Sequence, residues 1–302
     1  MNKVDYNLYL YDSYLDLLEK FFLDQKLPSS ILFIGNEGVG KKSFIGKFIY
    51  KINLIQKNSH KTSDFFGNQV STNYLEDFSS EKYPNVRYVS KKDKNNITID
   101  QIRDLKFFID KTSFNGDPKF IIIEGPEYLN LNAANSLLKM LEAPPEQCYF
   151  FLISDNERAL IETIKSRCVK FYIKFTSAEN KIILENLLKD YNLDSFDNFE
   201  IFSKFESAGS IVNKIKFLIK NNISTDNILN IILFCFNDYK NFKNHLSLKY
   251  ALDFSSIFFY KKILIDYNFY NKIYINYLNK VNSLIKYNSD IGPVLKIFQR
   301  NS

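Results

Sequence analysis

The feature that most constrains the fold is a glycine-rich turn that joins an apolar run to an amphipathic segment. Residues 29–35 form a short apolar run that ends in glycine and predicts a buried parallel strand. Beyond the turn, apolar residues recur at helical spacing over residues 42–55. In this arrangement several backbone N–H groups point to one place, and the helix N-terminus adds partial positive charge there. The sequence therefore predicts a phosphate-binding loop, or P-loop.

Glycine is scarce in this chain, which makes the turn informative. The chain has nine glycines in 302 residues, and three of them lie in the seven residues that end at Lys41. A lysine at this position of a P-loop reaches the terminal phosphates of a bound nucleotide. The residues predicted to form the site are Gly35, Gly38, Gly40, Lys41, Lys42, Ser43 and, from a later strand, Glu124.

The loop departs from that of a working NTPase at the position that binds the metal ion. The residue after the loop lysine is normally Ser or Thr, whose hydroxyl binds Mg²⁺. Here it is Lys42, a cation where a metal ligand belongs. Ser43 follows, but an α-helix turns by about 100° per residue, so this hydroxyl is a poor substitute. We expect no metal site in this chain.

Apolar runs alternate with helical periodicities, which predicts a parallel sheet covered by helices on both faces. Further strands are predicted at residues 86–89, 119–124, 149–153 and 169–173. Helices are predicted at residues 97–109, 131–142, 178–191 and 210–220, with a helical tract continuing to Ile297. The predicted fold class is α/β: a P-loop domain over residues 1–175, a small helical lid over 176–222 and an all-helical domain over 223–302.

Charge and cysteine usage narrow the class of protein. The net charge of +6 suits contact with nucleic acid or an acidic partner, but it is too small to establish either. Cys148, Cys168 and Cys235 are far apart in apolar surroundings, which indicates buried thiols rather than a zinc site. We see no secretory signal and no apolar run long enough to span a bilayer, so we expect a cytoplasmic protein without membrane contact.

Two later segments resemble one protein family. Residues 132–145 read N-A-A-N-S-L-L-K-M-L-E-A-P-P, which resembles the A-x-N-A-L-L-K-x-L-E-E-P-P segment of bacterial clamp-loader subunits. Residues 161–168 read I-E-T-I-K-S-R-C and resemble the T-I-x-S-R-C motif of that family. Residues 151–156, between them, are similar to the strand that carries its sensor 1 position. The resemblance to these AAA+ proteins runs from about Leu27 to Tyr172.

The resemblance implies that the chain does not hydrolyse ATP. In a working AAA+ enzyme the acidic strand ends in Asp-Glu; the Asp holds the hydrated Mg²⁺ and the Glu polarises the attacking water. Here Glu124 takes the first position and Gly125 the second, and glycine cannot act as a base. The loop backbone and Lys41 still allow ATP, ADP or phosphate to bind, but no cofactor is required.

The resemblance also gives Arg167 a role. In the family this arginine projects into the ATP site of the adjacent subunit, where its permanent charge stabilises the transferring phosphoryl group. Taken alone, Arg167 is more simply a surface ion pair. Delta-prime-type members keep the Ser-Arg-Cys motif while their own ATP site decays, and this chain fits that profile. The hydrolysing gamma or tau type usually carries a four-cysteine zinc module, whereas the polar, loop-rich residues 57–83 contain no cysteine.

The implied setting is the DNA polymerase III holoenzyme. The partners implied are the gamma or tau ATPase and delta subunits, with the sliding clamp and primer–template DNA as less direct contacts. The helical tract after residue 223 corresponds to the collar of a five-subunit ring. Val212 stands where a sensor 2 arginine is expected, which also argues against turnover. Aromatic residues expected in the helical core or at subunit interfaces include Phe254, Phe258, Phe259, Tyr260 and Tyr267.

Three alternatives remain open. The first is a catalytically active loader ATPase of the gamma or tau type that uses Glu124 and Ser43 in shifted roles. The second is a GTPase or nucleotide kinase, although the N-K-V-D at residues 2–5 precedes the loop, whereas a GTPase places this motif after it. The third is a DNA-binding module that uses the basic residues 91, 92 and 94, for which a solvated loop is the simpler explanation.

Overall fold

The structure is a computed structural model that describes residues 8–59, 83–91, 96–111, 113, 116–193, 202–224, 227–287 and 289–299. The motif at residues 2–5, most of the predicted insertion at 57–83, and residues 92 and 94 of the basic run lie outside this range. The chain divides into two compact units: an α/β unit of Met1–Asp194 with Phe205–Ser210, and a helical unit of Ser195–Lys204 with Ile211–Ser302. The three-part division made from the sequence stays a prediction.

Five strands build a single sheet in the α/β unit. They are β1 (Ser30–Ile34), β2 (Val86–Val89), β3 (Lys119–Glu124), β4 (Cys148–Ser154) and β5 (Val169–Tyr172). Their spatial order is β2-β3-β4-β1-β5, and every neighbouring pair is parallel. The predicted strands are confirmed, each to within two residues at either end. Because β1 lies between β4 and β5, the turn that follows β1 emerges between the carboxyl ends of these two strands.

Six helices accompany the sheet in the described part of this unit. They are α1 (Asp12–Leu23), α2 (Lys41–Ser59), α3 (Ile99–Asp110), α4 (Leu131–Glu142), α5 (Glu162–Lys165) and α6 (Ser177–Asp190). Alternate residues of each strand enter two separate hydrophobic cores, as a strand with period two requires. Phe33 packs in the core that includes α1 and α2, whereas Leu32 and Ile34 pack with α3 and α4. The sheet is therefore buried on both faces.

The helix predictions were wrong in three places. Helix α1 was not predicted at all, and α2 continues to Ser59 instead of ending at residue 55. Ile97 precedes α3 rather than lying in it, because it forms a β-bridge with Leu129. The Gln101 side chain accepts a hydrogen bond from the Thr98 N–H at 3.0 Å, so a capping box starts the helix after Thr98.

A buried lysine ties α3 to the sheet. Lys119, the first residue of β3, is only 5% exposed. Its Nζ donates to the carbonyl oxygens of Phe108 and Ile109 at 2.9 Å each and also to that of Lys111. The last carbonyls of a helix lack partners within it, and a cation suits the negative end of the helix dipole. Lys119 therefore caps the C-terminal end of α3.

The helical unit contains most of the C-terminal part of the chain. Its helices are α7 (Ala208–Lys220), α8 (Ile228–Phe242), α9 (His245–Ile263), α10 (Tyr267–Tyr287) and α11 (Gly292–Gln299). The first three residues of α7 group with the α/β unit. Of the five aromatic residues singled out from the sequence, Phe254, Phe258 and Phe259 are buried, whereas Tyr260 and Tyr267 are exposed.

The core of the helical unit contains a second buried lysine. Lys214 is fully buried and pairs with a carboxylate oxygen of Asp253 at 2.7 Å. The ring centres of Phe202, Tyr250 and Phe254 lie 5.7–6.0 Å from its Nζ, within the range of cation–π attraction. The ion pair and the three rings together offset part of the free-energy cost of removing the Lys214 ammonium from water.

Two expectations about the whole chain can be compared with the described residues. All three cysteines are free and buried, as predicted, and burial raises the pKa of the Cys168 thiol to about 11 and that of Cys235 to about 12. Across the described helices, none combines the length and apolar character needed to cross a membrane.

We predict that Lys119→Met lowers the free energy of unfolding by about 1–3 kcal/mol, because the α3 carbonyls would lose their donor inside the protein. The matched control is Lys106→Met, on the exposed face of the same helix; it should change stability by no more than about 0.5 kcal/mol. Urea unfolding followed by circular dichroism measures both. Equal effects of the two substitutions would contradict the capping role of Lys119.

Candidate functional site

The predicted site lies at the edge of the sheet where the parallel strands end. The glycine turn leaves β1 at Gly35, and α2 begins at Lys41. Glu124 is the last residue of β3, and Asp155 follows the end of β4. The carboxyl ends of parallel strands share one edge, which is the usual location of ligand sites in α/β sheets. The fold therefore brings two acidic residues to the loop from distant parts of the sequence.

The side chain of Lys41 forms hydrogen bonds with its own loop. Its side chain is only 4% exposed, and its Nζ donates to the carbonyl oxygens of Gly35 at 2.6 Å and Asn36 at 2.9 Å. The third partner is Asp155, whose carboxylate oxygen lies 2.6 Å from Nζ. A lysine ammonium has three N–H donors, and these contacts use all of them. A phosphate that binds Lys41 therefore has to replace one of these partners. The Asp155 side chain is half-exposed.

Lys42 forms an ion pair with the acidic residue at the end of β3. Its Nζ contacts a carboxylate oxygen of Glu124, and the Tyr88 hydroxyl donates to the same oxygen. Burial, followed by the contact with Glu124, raises the pKa of Tyr88, so its hydroxyl stays protonated as a donor. The Lys42 side chain is 38% exposed and that of Glu124 29%. The ammonium thus lies at the mouth of the site rather than in its interior.

These residues do not fit Mg²⁺, which the P-loop pattern implies. A P-loop NTPase holds the ion between a hydroxyl on the first helical turn and an acidic strand end. In this chain the first turn of α2 presents the Lys42 ammonium to Glu124 instead. Ser43 lies in the same turn, partly buried. Within the described residues, no group of three or more His, Cys, Asp or Glu side chains could hold a metal ion.

The position of the catalytic base is closed by backbone geometry. Gly125 has φ = 72°, the left-handed conformation that side chains rarely adopt, and a Cβ there would meet the ring of Tyr128 at 2.6 Å. A glutamate therefore cannot simply be restored at this position. Glu127, which we did not predict as a site residue, accepts a hydrogen bond from Ser154 Oγ at 3.1 Å. Burial, as the main cause, raises the pKa of Glu127.

The loop is held from two sides. The Tyr11 hydroxyl donates to the carbonyl oxygen of Val39, and Ser207 Oγ donates to that of Glu37. Gly38 packs so closely against the first turn of α7 that a Cβ would overlap the backbone nitrogen of Ser210. The sequence indicated a sensor 2 helix here, but not that its start would contact the loop. Val212, at the position expected for its arginine, is buried.

Arg167 lies where the two motif segments meet. Its Nε donates to a Glu142 carboxylate oxygen at 2.9 Å, and its Nη1 donates to the carbonyl oxygen of Thr163 at 3.0 Å. Glu142 ends α4 in the first motif, whereas Thr163 and Arg167 belong to the second. About a third of the arginine side chain is exposed. The guanidinium is thus held at the surface of the α/β unit.

Comparison with known proteins identifies the family. A sequence profile for the family described as "DNA polymerase III, delta subunit" matches residues 11–177, more than half of the 302-residue chain. The chain belongs to this family. Membership confirms the resemblance inferred from the two motifs and, together with the parallel sheet, the AAA+ fold class.

Relatives within the DNA polymerase III subunits include both delta-prime and tau proteins. DNA polymerase III subunit delta' of Pseudomonas aeruginosa is 46% identical over 74 residues, which are 24% of this chain and 23% of that protein. The delta' subunit of Haemophilus influenzae is 29% identical over 46% of this chain and 40% of its own. The tau subunit of Bacillus subtilis is 29% identical over 55% of this chain and 29% of its own. The chain spans less than half the length of these relatives.

The similarity of this chain to the solved structures is distant. A gamma subunit-related DNA polymerase III protein of Thermotoga maritima is 18% identical, with a TM-score of 0.41 over 80% of this chain and 76% of its own. The RuvB Holliday junction branch migration motor of the same organism is 14% identical, with a TM-score of 0.39 over 76% of this chain and 75% of its own.

We predict that Gly38→Ala destabilises the α/β unit of this family member more than Gly116→Ala does. Both glycines have nearly the same positive φ, 74° and 75°, so the conformational cost of alanine, about 1 kcal/mol, is common to both. A Cβ at Gly116 meets nothing within 4 Å, whereas one at Gly38 meets the start of α7. Overpacking should add about 1–3 kcal/mol at Gly38. Thermal unfolding measures the destabilisation caused by each substitution. Equal destabilisation by Gly38→Ala and Gly116→Ala would show that the loop and the start of α7 are not packed together.

Proposed function

We propose that this chain is a non-hydrolysing, delta-prime-type clamp-loader subunit that acts in the cytoplasm. In this role it helps to load the sliding clamp onto primed DNA during replication. Its contribution to catalysis is Arg167, supplied to the ATP site of the adjacent gamma or tau subunit. Family membership and the relatives named delta' support the class of subunit.

The observation that carries the non-hydrolysing assignment is the ion pair between Lys42 and Glu124. Hydrolysis of ATP requires a divalent cation that bridges the phosphates and a group that orients the attacking water. The ammonium of Lys42 neutralises the carboxylate that would hold the cation. Gly125, in its left-handed conformation, supplies no base. Two independent requirements for turnover are therefore unmet in the same site.

The setting of Arg167 supports a role in trans. An exposed ion pair such as the one between Arg167 and Glu142 contributes only about 0–1 kcal/mol to stability. A phosphate group of ATP bound to the adjacent subunit can therefore replace Glu142 at little cost. An arginine is always charged, and its planar fork matches phosphate oxygens. The bonds to Glu142 and Thr163 hold the guanidinium at the surface before the partner arrives.

The helical unit offers a surface for assembly with the delta and gamma or tau subunits. Val281 and Leu284 of α10 are buried, whereas a neighbouring stripe on the same helix is exposed. At 100° per residue the stripe residues fall within one face of the helix. They are Tyr267, Ile275, Leu278 and Ile285, each between 38% and 63% exposed. Apolar surface of this kind is typical of subunit interfaces, which agrees with the predicted collar.

An active loader ATPase of the gamma or tau type is the second candidate. The similarity to the Bacillus subtilis tau subunit favours it, because that match covers 55% of this chain. Glu127 is the side chain that could act as a base in such an enzyme, because it accepts a hydrogen bond from Ser154 at the end of β4 and burial raises its pKa. Ser43 would then have to provide the hydroxyl that Lys42 displaces.

The role in trans is tested by Arg167→Ala in a clamp loader reconstituted with its gamma or tau and delta subunits. Loss of an arginine finger costs about 10³-fold at the one ATP site that it serves, so clamp- and DNA-stimulated turnover of the ring should fall and clamp loading should fail. The matched control is Arg103→Ala, an exposed arginine on α3 that pairs within its own helix; it should leave turnover unchanged. Unchanged turnover with Arg167→Ala, in a complex that still assembles, would refute the proposal.

A further inference from the structure

The P-loop of this chain carries two lysine ammonium groups in successive positions, with different partners. Lys41 lies inside the loop, bonded to Gly35, Asn36 and Asp155. Lys42 lies at the mouth of the site, paired with Glu124. The N-terminus of α2 begins at the same two residues and adds partial positive charge. Two ammonium groups, each paired with one carboxylate, and a helix N-terminus thus lie where a polyphosphate would meet the loop.

From this arrangement we infer that the loop binds the polyphosphate of a nucleoside di- or triphosphate without Mg²⁺, and that the Lys42 ammonium takes the place of the ion. The inference concerns the chain's own P-loop and does not depend on Arg167 acting in a neighbouring subunit.

The geometry of Lys42 suits this role. Its ammonium is anchored by Glu124 at the end of β3, the acidic position that in an NTPase would hold the metal ion. Tyr88 shares the same carboxylate oxygen and fixes its orientation. An ammonium carries three donors and binds phosphate as a point charge. The Lys42 side chain is 38% exposed, and an ammonium has three donors, so we expect donors that do not contact Glu124 to be available to a ligand.

The same geometry makes Mg²⁺ unfavourable as an additional ligand. A divalent cation at Glu124 would lie against the Lys42 ammonium, and like charges at contact distance repel strongly outside bulk water. Mg²⁺ also requires an octahedral shell of oxygen ligands. Lys42 donates where the first turn of an NTPase helix would offer a hydroxyl oxygen. The metal and the ammonium therefore compete for one position.

The experiment is titration of the full chain with a fluorescent ADP analogue, once in MgCl₂ and once in EDTA. We expect equal affinity in the two buffers to within about twofold. Lys42→Thr restores the hydroxyl of an ordinary P-loop and should lose about tenfold in affinity in EDTA, the value of one bond to a charged donor, and recover it in MgCl₂. Lys47→Thr makes the same change farther along α2 and should behave as the wild type in both buffers.

The wild-type comparison is decisive even if Lys42→Thr does not fold. A tenfold or greater loss of wild-type affinity in EDTA would overturn the inference, because the site would then need the metal. Absence of binding in both buffers would overturn it as well. Neither result bears on the subunit's role in trans, which is measured in the reconstituted loader through Arg167.

Discussion

The ion pair between Lys42 and Glu124 determines what the site can do. In an active P-loop enzyme the acidic strand end faces a metal ion, and the charge of that ion is what makes phosphoryl transfer possible. Here the carboxylate is already neutralised by a side chain of the same protein, with Tyr88 donating to the same oxygen. The loop therefore keeps both of its lysine ammonium groups, each paired with one carboxylate. This pairing supports the proposal that binding at the loop is not coupled to hydrolysis.

The loop also has a structural function. Its carbonyl oxygens accept hydrogen bonds from Lys41, Tyr11 and Ser207, so the loop joins the sheet edge, the N-terminal segment and the start of α7. Buried carbonyl groups have to be paired, and these contacts pair them within the protein. A loop with such contacts would be retained even without ATP turnover, because loss of the loop would destabilise the α/β unit.

Much of the fold could be predicted from local sequence, because each strand is a short apolar run and each motif has fixed spacing. The position of the glycine turn between β1 and α2 follows from the same local pattern. The pairing of Lys42 with Glu124, and of Arg167 with Glu142, depends on strands and helices that meet only in the folded chain. The capping role of Lys119 could not be predicted from the sequence, because a lysine at the end of a strand is normally exposed to solvent. Helix α1 follows the same kind of local pattern, with Leu15 and Leu18 on its buried face.

The most direct test of the central claim is ATP turnover by the isolated full chain in the presence of Mg²⁺, measured with radiolabelled ATP at high protein concentration. The account predicts no release of phosphate above the buffer control, and no change on Glu127→Gln. Turnover that scales with protein concentration and disappears with Glu127→Gln would contradict it. That result would establish this chain as an active ATPase whose base has moved from position 125 to position 127.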